Sequence, residues 1–159
     1  MTDQDVSGLP PLRADLVIEY PFIRTTGPVV GAFLTGLREA VLVGIRRADG
    51  TVMVPPMEYD PLTSEPLSEV VEVSSTGSIV SWTWVDPPRP GSPWDTPHGL
   101  ALVLLDGADT PLLHGVLVDS PDQIATGLRV EAVWRAERVG HITDLVGFVP
   151  VPRDASEGS

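Results

Sequence analysis

The sequence predicts a mainly β protein, a five-stranded closed barrel preceded by one helix and a hairpin. Three observations carry this. Five β-rich runs follow one another between residues 78 and 149, with one short helical segment between the third and fourth. A single amphipathic stretch precedes them. The chain has 159 residues, 42% of them hydrophobic, which is enough to bury one core without cross-links.

The helix is read over Pro28–Leu42, where Val29, Val30, Phe33, Leu34, Leu37 and Val41 recur at three- and four-residue spacings. Thr25, Thr26 and Gly27 offer capping groups, and Pro28 suits a first helical turn, where its missing N–H costs nothing. Val41–Ile45 and Thr51–Val54 are short β-rich runs around Asp49-Gly50, a hairpin turn pair. Pro55–Pro66 is rich in Pro, acids and turn formers and reads as an ordered loop.

Leu67–Val73 is a further strand. The five barrel runs are Ser78–Val85, Leu100–Asp106, Leu112–Val118, Leu128–Ala136 and Ile142–Val149, with a Pro/Gly-rich stretch over Asp86–His98. Ser120–Gly127 carries a cap residue, a first-turn Pro, an early acid and a terminal Gly, the marks of a short helix. Five strands with a helix between the third and fourth is the order of an OB-fold. Val80, Trp82 and Trp84 alternate with Ser81, Thr83 and Val85, which places two indoles on one side of that strand. The organisation expected is a tail over 1–15, the helix and hairpin over 16–66, the OB-fold over 67–150 and a second tail over 151–159.

Composition excludes several chemistries. Acids outnumber bases 22 to 10, for a net charge of −12, so the average field repels phosphate backbones and anionic lipid. A nucleic-acid groove and a membrane surface are therefore not expected. All basic residues are Arg, which removes a Schiff-base amine. The absence of Cys removes disulfides, thiolate nucleophiles and thiolate-bound metals. The first 15 residues are acidic where a signal peptide is basic and then apolar, so the expected location is cytoplasmic.

No catalytic constellation emerges. His98, His114 and His141 form no metal pair; His114 reads as a strand-wall residue and His98 as a solvated loop residue. Asp106 and Asp109 flank a Gly107-Ala108 turn without the further oxygen ligands that a hard cation needs. No serine lies in a nucleophile elbow, and no glycine pattern cradles a dinucleotide. No metal or cofactor is expected. Trp82 and Trp84 suit core or interface packing better than base stacking. Two places suit an anion: Arg24 beside the helix start at Thr25-Thr26-Gly27-Pro28, and the Arg46-Arg47 pair at the hairpin tip. An enzyme in its own right would have to rest on His114, or on His141 with Asp144.

With these elements in place, the sequence resembles the family catalogued as domain of unknown function 35, in which an N-terminal helix and rubredoxin-like zinc ribbon precede an OB-fold. The residues carrying the resemblance are Gly31–Glu39, Gly44-Ile45-Arg46, Val54-Pro55-Pro56, Val71-Glu72-Val73, Gly77–Thr83, Ala101–Asp106 and Gly127–Val130. Family members usually carry cysteine pairs at two knuckles. Here Arg47 and Asp49 stand at the first, and Glu58, Tyr59 and Asp60 stand where the second would begin. The resemblance thus implies a degenerate, metal-free ribbon hairpin, with Met53, Met57 and Tyr59 expected to replace the metal by packing.

The resemblance also implies a non-catalytic accessory subunit of a thiolase-like or lipid-transfer-protein-like enzyme acting on acyl-CoA, in some systems an aldolase that shortens steroid side chains. Such a subunit forms a hetero-oligomer with its enzyme and helps shape the acyl-CoA site. The docking candidates are Tyr20 and Phe22 in the lead-in, Phe33 and Leu37 on the helix, and Trp82 and Trp84. The candidate anion or CoA contacts are Arg24, Arg46 and Arg47. The alternative is a stand-alone acyl-CoA or lipid-binding module, whose pocket Trp82 and Trp84 would line.

Overall fold

Helix α1 spans Pro28–Glu39, with Val29, Phe33, Gly36 and Leu37 buried along one stripe. It stops three residues earlier than the periodicity suggests. Ala40 turns left-handed at φ 60°, and the N–H of Val41 returns 2.8 Å to Gly36 O. Gly36 permits that turn, because a Cβ there would stand 2.7 Å from Val41 O. The computed structural model describes residues 16–19, 21 and 25–152.

Strands β1 (Leu42–Arg46), β2 (Val52–Met53) and β3 (Glu69–Val73) form an antiparallel sheet in the order β2-β1-β3. Leu42 to Arg46 pair one by one with Val73 to Glu69. The division expected after residue 66 therefore falls inside one sheet, since β3 hydrogen-bonds to the hairpin.

The remaining strands close into a barrel in the order β4-β5-β6-β8-β7, with β4 Thr76–Val85, β5 His98–Leu105, β6 Leu112–Val116, β7 Arg129–Trp134 and β8 Leu145–Pro150. These are the five barrel runs read from the sequence, and the closed barrel with its preceding helix is the expected mainly β OB-fold. Along β5, Ala101, Val103 and Leu105 are buried and alternate with half-buried Leu100, Leu102 and Leu104. The closing seam is thin: β6 and β8 run parallel and pair only at Val116 and Phe148.

Two local expectations change. The helix expected over Ser120–Gly127 is a single 3-10 turn, Pro121–Gln123, whose Ser120 side chain makes no capping bond. Ile124 leaves that turn in extended conformation and is buried under the barrel, with its Cδ1 2.8 Å from where a Gly99 Cβ would lie. In β4 the register slips between Ile79 and Ser81. The extra residue, Val80, is pushed outward, and Trp82 comes to face buried Ala101 across the ladder. Val80 and the two indoles are therefore not one surface.

One core runs through the whole assembly. Phe33 and Leu37 from α1, together with Leu42, Val52, Val54 and Val73 from the small sheet, belong to the same buried cluster as Ile79, Val103, Leu105, Val116, Val130 and Phe148 of the barrel. Polar bonds fasten the same junction. The β5–β6 turn receives the Val52 N–H on Asp109 Oδ2 at 2.8 Å and the Val54 N–H on Thr110 Oγ1 at 2.8 Å. No helix among the described residues is long and apolar enough to cross a membrane.

Candidate functional site

At the hairpin tip, Arg47 is an internal clamp. Its Nε donates to Asp60 Oδ2 at 2.8 Å, and its Nη1 donates to Asp49 Oδ2 at 2.6 Å and to Thr51 Oγ1 at 3.1 Å. Asp60 is buried and also accepts the Leu62 N–H at 2.8 Å. The hydrogen bond to Asp60 raises the Arg47 pKa, and the hydrogen bond from Arg47 lowers that of Asp60. Thr51, through its hydroxyl and its N–H, lowers that of Asp49. An ion pair thus joins the two knuckles that the family resemblance assigns to a metal. Tyr59 and Met57 are exposed and do not do this work, while Met53 packs with Val29 and Ile45. Neighbouring Arg46 donates to Glu69 Oε1 at 2.9 Å and to Gly50 O at 3.1 Å. Both guanidiniums expected to meet an external anion are engaged within the chain.

The helix start is occupied in the same way. Glu58 Oε1 accepts the Val29 and Val30 N–H groups at 3.0 and 2.9 Å, supplying the negative charge that the first turn of a helix attracts. Thr25 and Thr26 do not cap; the cap residue is Gly27, at φ 80° and with no side-chain bond. Arg24, Tyr20 and Phe22 lie outside the described residues. Phe33 and Leu37 are spent in the core, so the helix does not present them to a partner. Trp82 packs on the core with one edge outward, and Trp84 is half-buried opposite Gly99.

A mainly apolar concavity lies elsewhere, over the thin seam. A slot of about 310 Å³ runs between the β4–β5 loop, β6 and the turn before β8, lined by Trp94, Leu113, His114, Arg135, Ile142 and Val146 among others. Trp94 defines it. The indole lies on β6, where a Gly115 Cβ would collide with the ring, and its Nε1 donates to Val146 O on β8 at 3.1 Å. One side chain thus spans both strands of the seam. It also heads an aromatic chain, with ring centroids at 4.9 Å to His98 and 5.5 Å to His114, which in turn stands 5.9 Å from Phe148. The second and third barrel strands and the loops flanking them form the face on which OB-folds commonly bind ligands.

The histidines take structural places. His98 is buried at the start of β5, not solvated in a loop, and its Nδ1 contacts Thr96 O at 2.8 Å. His114 is a strand-wall residue as expected; burial lowers its pKa, and its Nδ1 is sealed without a hydrogen-bond partner. His141 caps a 3-10 turn over Ile142–Asp144. Asp144 serves that same turn: its Oδ2 accepts the N–H groups of Val139, Gly140 and His141 at 3.0, 2.6 and 3.0 Å. Burial opposes ionisation of Asp144, and these three donors outweigh it, leaving the carboxyl below its ordinary range. Asp106 is held to about 2 chiefly by hydrogen bonds from Arg129. Among the described residues, no group of three or more His, Asp or Glu side chains is placed to hold a metal ion.

Sequence reasoning missed Trp94, Leu113, Arg135 and Ile142. Two signals were present. Leu113 is an apolar residue in opposite phase to inward-facing Leu112 and His114, and Trp94 is the one large apolar residue in a Pro/Gly-rich loop.

The OB-fold and its extensions have known counterparts. The family model described as the C-terminal OB-fold domain of ChsH2 matches residues 70–135. A DUF35 domain-containing scaffold protein of Pyrococcus furiosus is 31% identical over 98 residues, covering 61% of this chain and 71% of the relative. Among solved structures, an Ltp2-ChsH2(DUF35) aldolase aligns with a TM-score of 0.57 at 25% identity, over 80% of this chain and 98% of that one. A DUF35 protein of unknown function from Sulfolobus solfataricus shares the fold, with a TM-score of 0.54 at 20% identity over 68% of this chain and 79% of that one. By these matches, and by a helix, small sheet and closed barrel in the family's order, the chain belongs to the DUF35 family.

Proposed function

We propose that this chain is a non-catalytic accessory subunit that docks on a thiolase-like or lipid-transfer-protein-like acyl-CoA enzyme and helps form its acyl-CoA site, in the manner of a side-chain aldolase acting on a steroid or another lipid. The observation that carries the reading is the likeness to the Ltp2-ChsH2(DUF35) aldolase, which spans 80% of this chain and 98% of that one. The scaffold name of the Pyrococcus relative supports the same kind of role. The chemistry agrees: the three histidines and the buried acids hold turns, caps and core, and His141, whose Nδ1 lies 2.9 Å from the Thr143 hydroxyl, is engaged in capping the Ile142–Asp144 turn. Trp84 and the outer edge of Trp82 are the docking residues retained from the sequence reading.

Co-expression with a thiolase-like enzyme tests this. The expected result is a stoichiometric complex by size exclusion, with aldolase activity on an acyl-CoA substrate that needs both chains. Turnover of an acyl-CoA thioester or enoyl substrate by this chain alone, abolished by His114→Ala or His141→Ala, would overturn it.

A further inference from the structure

The slot over the barrel seam has two features that packing alone does not need. Leu113 and Ile142, 57% and 39% exposed, present apolar surface to it from opposite sides while Trp94 forms its wall. At its rim stands Arg135, whose Nε is fixed to Thr143 O at 2.7 Å. Among the described residues, the Arg135 guanidinium pairs with no carboxylate, whereas Arg46, Arg47 and Arg129 all do. Among the described residues Arg138, whose Nη1 donates to Arg135 O at 2.6 Å, likewise pairs with no carboxylate, so unpaired positive charge gathers beside the slot on a chain of net charge −12. The volume of about 310 Å³ lies at the small end of small-molecule sites.

We propose that this slot binds a medium-chain carboxylate, with its aliphatic body between Trp94, Leu113 and Ile142 and its anionic head on the Arg135 guanidinium. The walls set the apolar class of the ligand and the rim sets its charge. An alcohol of equal length would lose the charged contact, and an alkyl ammonium would be repelled. The inference goes beyond the accessory role and does not depend on it, because it concerns the isolated chain.

The test is titration of the purified full chain with decanoate and with 1-decanol, followed by tryptophan fluorescence and by backbone NMR shifts. Decanoate should saturate at submillimolar concentration, with shifts confined to the Trp94 loop, β6 and the Ile142–Val146 segment. Arg135→Gln should weaken decanoate about tenfold and leave decanol unchanged, as expected for loss of one charge-assisted contact. Ile142→Ser, at an exposed site that leaves the core intact, should weaken both ligands. The proposal falls if decanoate does not saturate by millimolar concentration, if both variants bind it like the parent chain, or if the shifts map elsewhere. It falls equally if the slot is protected only when a partner enzyme is bound, since that would make it a seat for a protein side chain. Failure to co-purify with a thiolase-like enzyme would count against the accessory reading alone.

Discussion

Replacing Leu37 with alanine separates a packed helix from a docking helix. Leu37 is fully buried, in a cluster that takes Phe33 from the same helix, Leu42, Val52, Val54 and Val73 from the small sheet, and the barrel interior beyond. The substitution removes three carbons, worth about 2.4 kcal/mol of transfer free energy at about 0.8 kcal/mol each. A cavity term adds to this, because three rigid elements meet at the site and cannot all collapse into the space; about 3–4 kcal/mol is expected, within the range of buried Leu→Ala changes. For a domain of this size that corresponds to a fall in Tm of roughly 6–16 °C. Thermal unfolding of the isolated chain by circular dichroism measures it, with exposed Thr35→Ala on the same helix as a control that should change little. A Leu37→Ala chain that melts like its parent but no longer joins a partner enzyme would refute the packing argument and return the helix to the interface.

Three further outcomes follow from the polar contacts. Glu58→Ala strips the carboxylate from the start of α1 and should cost about 1 kcal/mol by urea unfolding, the scale of a lost N-cap. Asp60→Asn should lower Tm and speed proteolysis within residues 46–66 by leaving Arg47 without its main partner; chelators should not affect the parent chain, and added zinc should not rescue the variant. For Asp106, the drop from 3.8 to about 2 sets a ceiling near 2.4 kcal/mol, and half-exposure of both partners reduces the working value to under about 1 kcal/mol. Because the folded carboxyl titrates below the unfolded one, this contribution is complete above about pH 4 and vanishes as pH falls through about 2, so the stability gap between parent and Asp106→Asn should close over that window.

The barrel was legible because its strands alternate. In β5 the buried residues fall on every second position, and a period of two survives any error at the ends. What sequence could not supply was pairing across distance. Glu69–Val73 has the same alternation whichever sheet it joins, and only the fold shows that it lies along β1. Val80 looks in phase with Trp82 until a bulge, which no composition signal announces, puts the two on different sides. His98 sits between Pro97 and Gly99 and so reads as a loop; its burial comes from the Trp94 ring, four residues back and folded over it. The Arg47–Asp60 clamp joins residues 13 apart that each look like ordinary turn formers. The site was the least legible part, since the exposure of Leu113 and Ile142 depends on where two loops stop.

The clamp explains how the small sheet persists without an ion, but only in combination with the core. A ribbon standing alone has too little apolar surface to fold and draws its stability from a metal. A single ion pair is a poor substitute, even one as buried as Arg47–Asp60, because the cost of taking both charges out of water offsets most of their attraction. Here the burden is shared differently. Leu42, Val52, Val54 and Val73 of the sheet are buried in the barrel's own core, and Asp109 and Thr110 carry its edge strand as a neighbouring strand would. What remains for Arg47 is local: to hold the hairpin tip to the Asp60 turn, a distance that packing does not span because Tyr59 and Met57 point into solvent. A cation fixed on one side chain is enough for that, and unlike a bound metal it cannot be lost to a chelator. The sheet and barrel should therefore unfold in one transition, with the tip fraying first when the Asp60 carboxylate is removed.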